Sequence, residues 1–182
     1  MALTYSKGMP SGSPIPDFSL PGVDGRTYSP SSFSDAEVLV IVFSCNHCPY
    51  AIASEDRLIE LRNRHAPRVQ FALINSNDAE RYPEDGFNEM TVRAREKKYP
   101  FPYLRDESQE TARAFDAVCT PDIFVFDKSR RLRYNGRIDD NWQSPEKVSR
   151  RDLETVLEDL LAGREISIEA IPSMGCSIKW KA

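Results

Sequence analysis

The sequence predicts one α/β domain in which a central mixed β-sheet is covered by helices on both faces. Three features of the 182-residue chain point there. The run VLVIVF at 38–43 is apolar at every position, as a strand covered on both sides must be. A helical pattern follows it and leads into a second apolar run, VQFALI at 69–74, so these two strands are expected to lie parallel. IFVF at 123–126, a polar turn at 127–130, and Leu132 with Tyr134 then read as an antiparallel hairpin on the same sheet.

The remaining elements follow along the chain. Residues 1–16 are rich in Gly, Ser and Pro and are expected to form a flexible lead-in, which leaves 17–182 as a single domain with a C-terminal tail from about 164. Phe18 and Leu20 start an extended segment that turns at Asp24-Gly25. A first helix is expected from Pro49 to Arg64, burying Ala51, Leu58 and Leu61 beside Ile52 and Ile59, with Glu55, Asp56, Glu60 and Arg62 toward water. A second is expected from Glu84 to Lys97, packing through Phe87, Met90 and Ala94, and a short third from Gln109 to Ala117. The last helix is expected to begin near Pro145 with Ser144 as its cap, to pack through Leu153, Val156, Leu157 and Leu160, and to end at Gly163.

Composition narrows the function. With 24 basic against 28 acidic residues the net charge is -4, so the chain lacks the positive surplus of a phosphate-backbone binder, and nucleic acid is not an expected partner. The N-terminus has no continuous apolar stretch of the kind a secretory signal needs, and Val38 to Phe43 is too short to span a bilayer. A cytoplasmic protein without a membrane partner is the expectation.

Four cysteines are too few to dictate the fold, so their spacing matters more than their number. Cys45-Asn46-His47-Cys48 follows the first strand and opens the first helix, putting two thiols within reach of an intramolecular disulfide. Unpaired amides and the positive end of a helix favour thiolate over thiol. Cys45, taken as the residue nearest the helix entrance, is the expected nucleophile, with Cys48 as its resolving thiol. His47 either stabilises that thiolate or stands in water as a spacer. A cationic or polarised imidazole beside the sulfur would make the disulfide more oxidising. Pro49 suits the first helical position and occupies the place where a covalent haem motif needs histidine. Two histidines in the whole chain do not complete a zinc site, so neither a metal nor an organic cofactor is expected.

Cys119-Thr120-Pro121 precedes the IFVF strand, where proline either sets a turn or takes the cis form and folds the backbone toward the dithiol. Cys119 and Cys176 are candidate auxiliary thiols, and a disulfide between them is one arrangement that the sequence allows. Asn75, Asn77 and Asp78 follow a strand and are expected near the dithiol end of the sheet. The GRIDDNW segment at 136–142 is expected to pack across the sheet.

The strand-CxxC-helix arrangement with a distant Thr-Pro before a strand resembles the thioredoxin superfamily. FSCNHCPY, CTPDIFVFD, GRIDDNW and GCSIKWK are similar to its peroxiredoxin-like, AhpC/TSA-type branch, from about Ile15 to Lys181. The resemblance implies a thioredoxin-like fold with an N-terminal β-hairpin extension, Cys45 attacking, Cys48 resolving, and Pro121 in the cis form supported by Thr120. Two departures stand out. Val38 and Val42 occupy the places of the Pro and Thr that precede a peroxidatic cysteine, and Leu39 replaces the buried acid of thioredoxins. The expected activity is thiol-disulfide exchange through Cys45 and Cys48, fed by a thiol electron donor. Peroxide reduction by the same residues is the alternative enzyme, and a thiol-based metal-binding or interaction domain the non-enzymatic one.

Overall fold

The computed structural model describes residues 3–182. Its elements in chain order are β1 (Leu3–Tyr5), β2 (Leu20–Pro21), β3 (Thr27–Tyr28), β4 (Val38–Phe43), α1 (Pro49–His65), β5 (Val69–Asn75) and α2 (Phe87–Glu96). They continue as β6 (Tyr103–Arg105), α3 (Glu110–Ala114), β7 (Cys119–Thr120), β8 (Asp122–Phe126), β9 (Leu132–Asn135), α4 (Asp152–Leu161) and β10 (Met174–Ser177). Five strands form the central sheet in the order β6-β5-β4-β8-β9. β4, β5 and β6 run parallel, while β8 and β9 are antiparallel additions, so the sheet is mixed as expected.

Alternation along β4 divides the core in two. Val38, Val40 and Val42 face a layer that includes Leu58 and Leu61 of α1, Met90 of α2, and Leu153, Val156 and Leu157 of α4. Leu39, Ile41 and Phe43 face Phe18, Leu20, Ala112, Phe115 and Ile178. Phe43, Phe115 and Phe124 meet edge to face there, with ring centroids 5.3 to 5.8 Å apart. β2 and β3 make the N-terminal hairpin, turning through Gly25 at φ +83. Among the described residues, no helix is long and apolar enough to cross a membrane.

Local differences from the sequence expectation have identifiable causes. Glu55 is buried, because Arg93 grips its carboxylate through two hydrogen bonds of 2.9 and 2.6 Å and the Tyr99 hydroxyl donates a third at 2.7 Å. Desolvation of the charge is offset by those partners. Ser144 and Pro145 open only a 3-10 turn at Pro145–Lys147, and α4 starts at Asp152. Between them the Asp140 carboxylate accepts from the hydroxyl and the N–H of Ser149 and holds the chain as a loop. Gly163 ends α4 as expected, at φ +68, with the Arg164 N–H donating back to the Asp159 carbonyl at 2.9 Å. α2 begins after a 3-10 turn at Pro83–Asp85, and α3 stops at Ala114.

The chain ends form a second sheet in the order β1-β10-β7. It brings β1, from the expected lead-in, and β10, from the tail, against the strand that carries Thr120.

Candidate functional site

Cys45 lies just past the end of β4, where the Ser44 N–H still donates to the Ile74 carbonyl at 2.8 Å. This is the carboxyl edge of the parallel strands, the usual site-bearing edge of an open α/β sheet. The helix entrance itself belongs to Cys48, the N-cap residue of α1, with Cys45 ahead of the bend at Asn46 and His47. The sequence expectation had assigned that place to Cys45. The difference arises because Asn46 and His47 are drawn aside by the Asp85 carboxylate, so helical turns begin only at Pro49.

Thr120 joins the two sulfurs. Its hydroxyl is 3.3 Å from the Cys45 sulfur, and its carbonyl accepts from Cys48 at 3.1 Å. The following Thr120-Pro121 peptide is cis. Both sulfurs are buried, Cys48 completely. They titrate as a pair. Interaction with Cys45 lowers Cys48 to about 4, against the cost of burial and with help from Cys176 and the Ala51 N–H, while the same interaction, burial and Asp85 push Cys45 up. The Thr120 carbonyl, however, bonds only a protonated thiol at Cys48. Passing the shared proton from Cys45 to Cys48 therefore places the charge on Cys45, where the Thr120 hydroxyl meets it as a donor.

His47 turns inward. Its Nδ1 is 2.7 Å from Asp85, and its ring stacks on Tyr82 with centroids 5.4 Å apart. The Asp85 bond raises its pKa above the ordinary histidine value, outweighing burial. Burial alone would raise Asp85, but His47, the Asn77 amide and the Asn46 N–H hold its carboxyl below the usual range. Asn46, Asn75 and Asn77 donate to it at 2.7, 3.1 and 2.8 Å. Tyr103 ties the same network to Asn46 at 3.0 Å. Among the described residues, Cys45, His47 and Asp85 form the one cluster whose donor atoms lie within 4.8 Å of one another, a spacing that suits chelation. Both oxygens of Asp85 are already engaged by the donors just named.

Asn75 and Asn77 thus lie where the sequence suggested. Asp78 instead caps Glu80 through its carboxylate and donates its N–H to the Lys179 carbonyl at 2.8 Å. Asp85 and Tyr103 are contributors that sequence reasoning did not single out. An Asp in a turn ahead of a helix reads as a solvent-facing cap, and only the folded chain shows it buried against Asn46 and His47.

Cys119 and Cys176 separate. In the β7–β10 register Cys176 stands opposite Thr120 and Cys119 opposite Ser177, so the two cysteines occupy alternate faces. Cys119 points away from the pair, 3.7 Å from the Pro121 carbonyl, and burial followed by the Asp122 charge keeps it a thiol. Cys176 instead packs with Cys45, Cys48 and Ala51. A Cys119-Cys176 disulfide, allowed by the sequence, does not fit this register.

GRIDDNW closes one side of the site. Arg57 of α1 binds Asp139 at 2.5 Å and the carbonyls of Asn141 and Trp142 at 3.0 and 2.8 Å. Trp142 packs on Tyr50 with centroids 4.1 Å apart, and beside them opens an apolar recess walled by Tyr50, Pro121, Ile138, Trp142 and Met174.

Against known proteins, the redoxin family model matches residues 10–176. The structure is similar to that of an uncharacterized conserved protein from Geobacillus kaustophilus, 42% identical over 100% of this chain and 97% of that one, with a TM-score of 0.95. A hypothetical protein from Sinorhizobium meliloti is 34% identical over 98% of this chain and 99% of that one, with a TM-score of 0.93. Peroxidoxin BcpB from Mycobacterium tuberculosis shares the fold at 19% identity and a TM-score of 0.61, over 85% of this chain and 95% of that one. No curated protein matches the chain.

Proposed function

The chain belongs to the redoxin family, and from that premise we propose that it is a thiol-disulfide oxidoreductase of the peroxiredoxin-like, AhpC/TSA-type branch, cycling Cys45 and Cys48 between dithiol and disulfide. The observation that carries this reading is the bridging of both sulfurs by one residue, Thr120, next to the cis peptide of Pro121.

The steps follow from the shared proton. Cys45, as thiolate, attacks one sulfur of a substrate disulfide; a mixed disulfide forms and one substrate thiolate leaves. Cys48 then gives up its proton to the departed thiolate and attacks Cys45, forming the Cys45-Cys48 bond and releasing the second substrate sulfur as a thiolate. A thiol donor of the same chemical class restores the pair. The recess beside Pro121 suits apolar groups flanking the substrate sulfur.

Peroxide reduction uses the same first nucleophile, with Cys45 passing through a sulfenic acid before Cys48 closes the disulfide. Val42, where a peroxidatic site carries a hydroxyl, is buried in β4 opposite Leu73 and Ile123, which makes this the second reading.

Stopped-flow reaction of the reduced protein with a small aromatic disulfide and, separately, with hydrogen peroxide tests the assignment. Wild type is expected to release two thiols per protein and to prefer the disulfide. Cys48→Ser is expected to stop at a trapped mixed disulfide on Cys45, and Cys45→Ser to lose the fast phase. A fast phase that survives Cys45→Ser overturns the roles, and faster consumption of peroxide moves the assignment to peroxidase.

A further inference from the structure

β10 carries a third sulfur into the site by construction. It is paired on one edge with β1 and on the other with β7, with Cys176 directly opposite Thr120. The neighbouring residue must be glycine. A Cβ on Gly175 would collide with the Thr120 carbonyl oxygen and sit 2.6 Å from its carbon and 3.1 Å from the Pro121 nitrogen. Only a bare backbone lets β10 lie this close to the Thr120-Pro121 peptide.

The rest of the tail is stitched to the polar side of the same site. The Lys179 N–H donates to Asn77 at 2.8 Å, its carbonyl accepts from the Asp78 N–H at 2.8 Å and from Gln109 at 2.8 Å, and the Lys181 N–H donates to Gln109 at 2.8 Å. Asn77 in turn holds Asp85. Cys176 is therefore held in a fixed place, buried among Cys45, Cys48 and Ala51.

We propose that Cys176 is a third redox thiol, which attacks Cys48 in the Cys45-Cys48 disulfide and converts it to a Cys48-Cys176 disulfide. This rests on the dithiol reading above. In the step the Cys48-Cys176 bond forms and the Cys45-Cys48 bond breaks. Cys45 leaves with the bonding electron pair and takes up the proton that Cys176 gives up. One disulfide is exchanged for another, so no further oxidant or reductant is consumed. The outcome frees Cys45 as a thiol, able to attack again once it ionises, while the oxidising equivalent rests against β7.

The electrostatics permit this in the oxidised protein and discourage it in the reduced one. In the reduced site burial, and then hydrogen bonding and charge at Cys48, push Cys176 up to about 12, with Lys179 acting in the opposite direction. Once Cys48 is in a disulfide it has neither a proton to share nor a charge, so that part of the deterrent disappears.

Oxidation with one equivalent of a small disulfide, acid quenching, blocking of free thiols and peptide mass mapping without reduction read the bond directly. Wild type is expected to carry Cys48-Cys176 in about a tenth or more of the oxidised molecules, the share for two isomers within about 30 mV of each other. Oxidised Cys45→Ser is expected to form Cys48-Cys176 as its main disulfide. Cys176→Ser is expected to form Cys45-Cys48 alone. If wild type carries only Cys45-Cys48 and Cys45→Ser forms no link to Cys176, the third thiol is refuted while the dithiol reading stands. If no variant forms Cys45-Cys48, both are overturned.

Discussion

Asp85 and Asp122 are both shut off from solvent, one on each side of the cysteines, yet their carboxyls are driven in opposite directions. Asp85 lies below the usual carboxylate range, whereas burial raises Asp122 to about 6. Asp85 meets the imidazole of His47 and three further donors from Asn46, Asn75 and Asn77. Asp122 has no cation beside it among the described contacts and accepts from Asn135 at 3.1 Å and, weakly, from the Val118 N–H at 3.4 Å. Burial sets the cost of a charge in both places; the partners decide whether the charge persists.

The largest effect expected from this contrast comes from Asp85→Asn. It removes the anionic partner of His47 and turns one acceptor oxygen into a donor that faces other donors. Breaking such a buried pair costs about 3 to 5 kcal/mol. Urea denaturation of the reduced variant reads that loss, and NMR titration of His47 should show its pKa falling back toward the ordinary value. An unchanged denaturation midpoint together with an unmoved His47 would remove Asp85 as the organiser of the site.

Asp122 predicts the opposite pH behaviour. Its folded pKa lies above the unfolded value, so between roughly pH 4 and 6 the folded state holds the proton more tightly. Stability from this group therefore falls as pH rises through that window and levels off above it. A shift of this size corresponds to about 3 kcal/mol. Asp122→Asn, which resembles the protonated form, should gain on wild type by about that amount between pH 4 and 7 in paired denaturation curves. A difference between the two proteins that stays flat with pH would contradict the raised carboxyl.

The same contrast explains which parts of the site were legible in sequence. β4, β5 and the β8–β9 hairpin announce themselves, because a strand covered on both faces must be apolar throughout and an exposed turn must not. The CNHC spacing likewise stands out in sequence as two thiols three positions apart after an apolar strand. Asp85 and Glu55 were not legible, since an acidic residue in a turn or on a helix looks the same in sequence whether water or a buried partner satisfies it. Cys176 depended on the register of β10, a four-residue strand, Met-Gly-Cys-Ser, with no apolar run of its own. Its place is set by β1, β7 and the missing side chain of Gly175. Ser144 and Pro145 show a third kind of ambiguity. Ser144 makes no side-chain capping bond, the turn it precedes ends after Lys147, and a buried Asp152 held by Arg137 and Arg150 starts the helix instead.

The smallest expected effect tests how far the Asp85 side reaches the sulfurs. The Asp85 charge pushes Cys45 up, and His47, raised by that same carboxylate, brings a positive charge within 4.8 Å of the Cys45 sulfur while protonated. His47→Gln keeps a side chain that hydrogen-bonds but removes the cation, leaving Asp85 uncompensated beside Cys45. The first thiol ionisation of the reduced pair, followed by thiolate absorbance, should then move up by about one unit. A less stable thiolate makes the disulfide less oxidising, so the reduction potential should fall by about 30 mV in equilibrium with glutathione. The difference should be largest at acidic pH and shrink as the wild-type imidazole loses its proton, above the ordinary histidine value because Asp85 holds it. A shift of equal size at all pH values would trace the effect to packing against Tyr82 instead of charge.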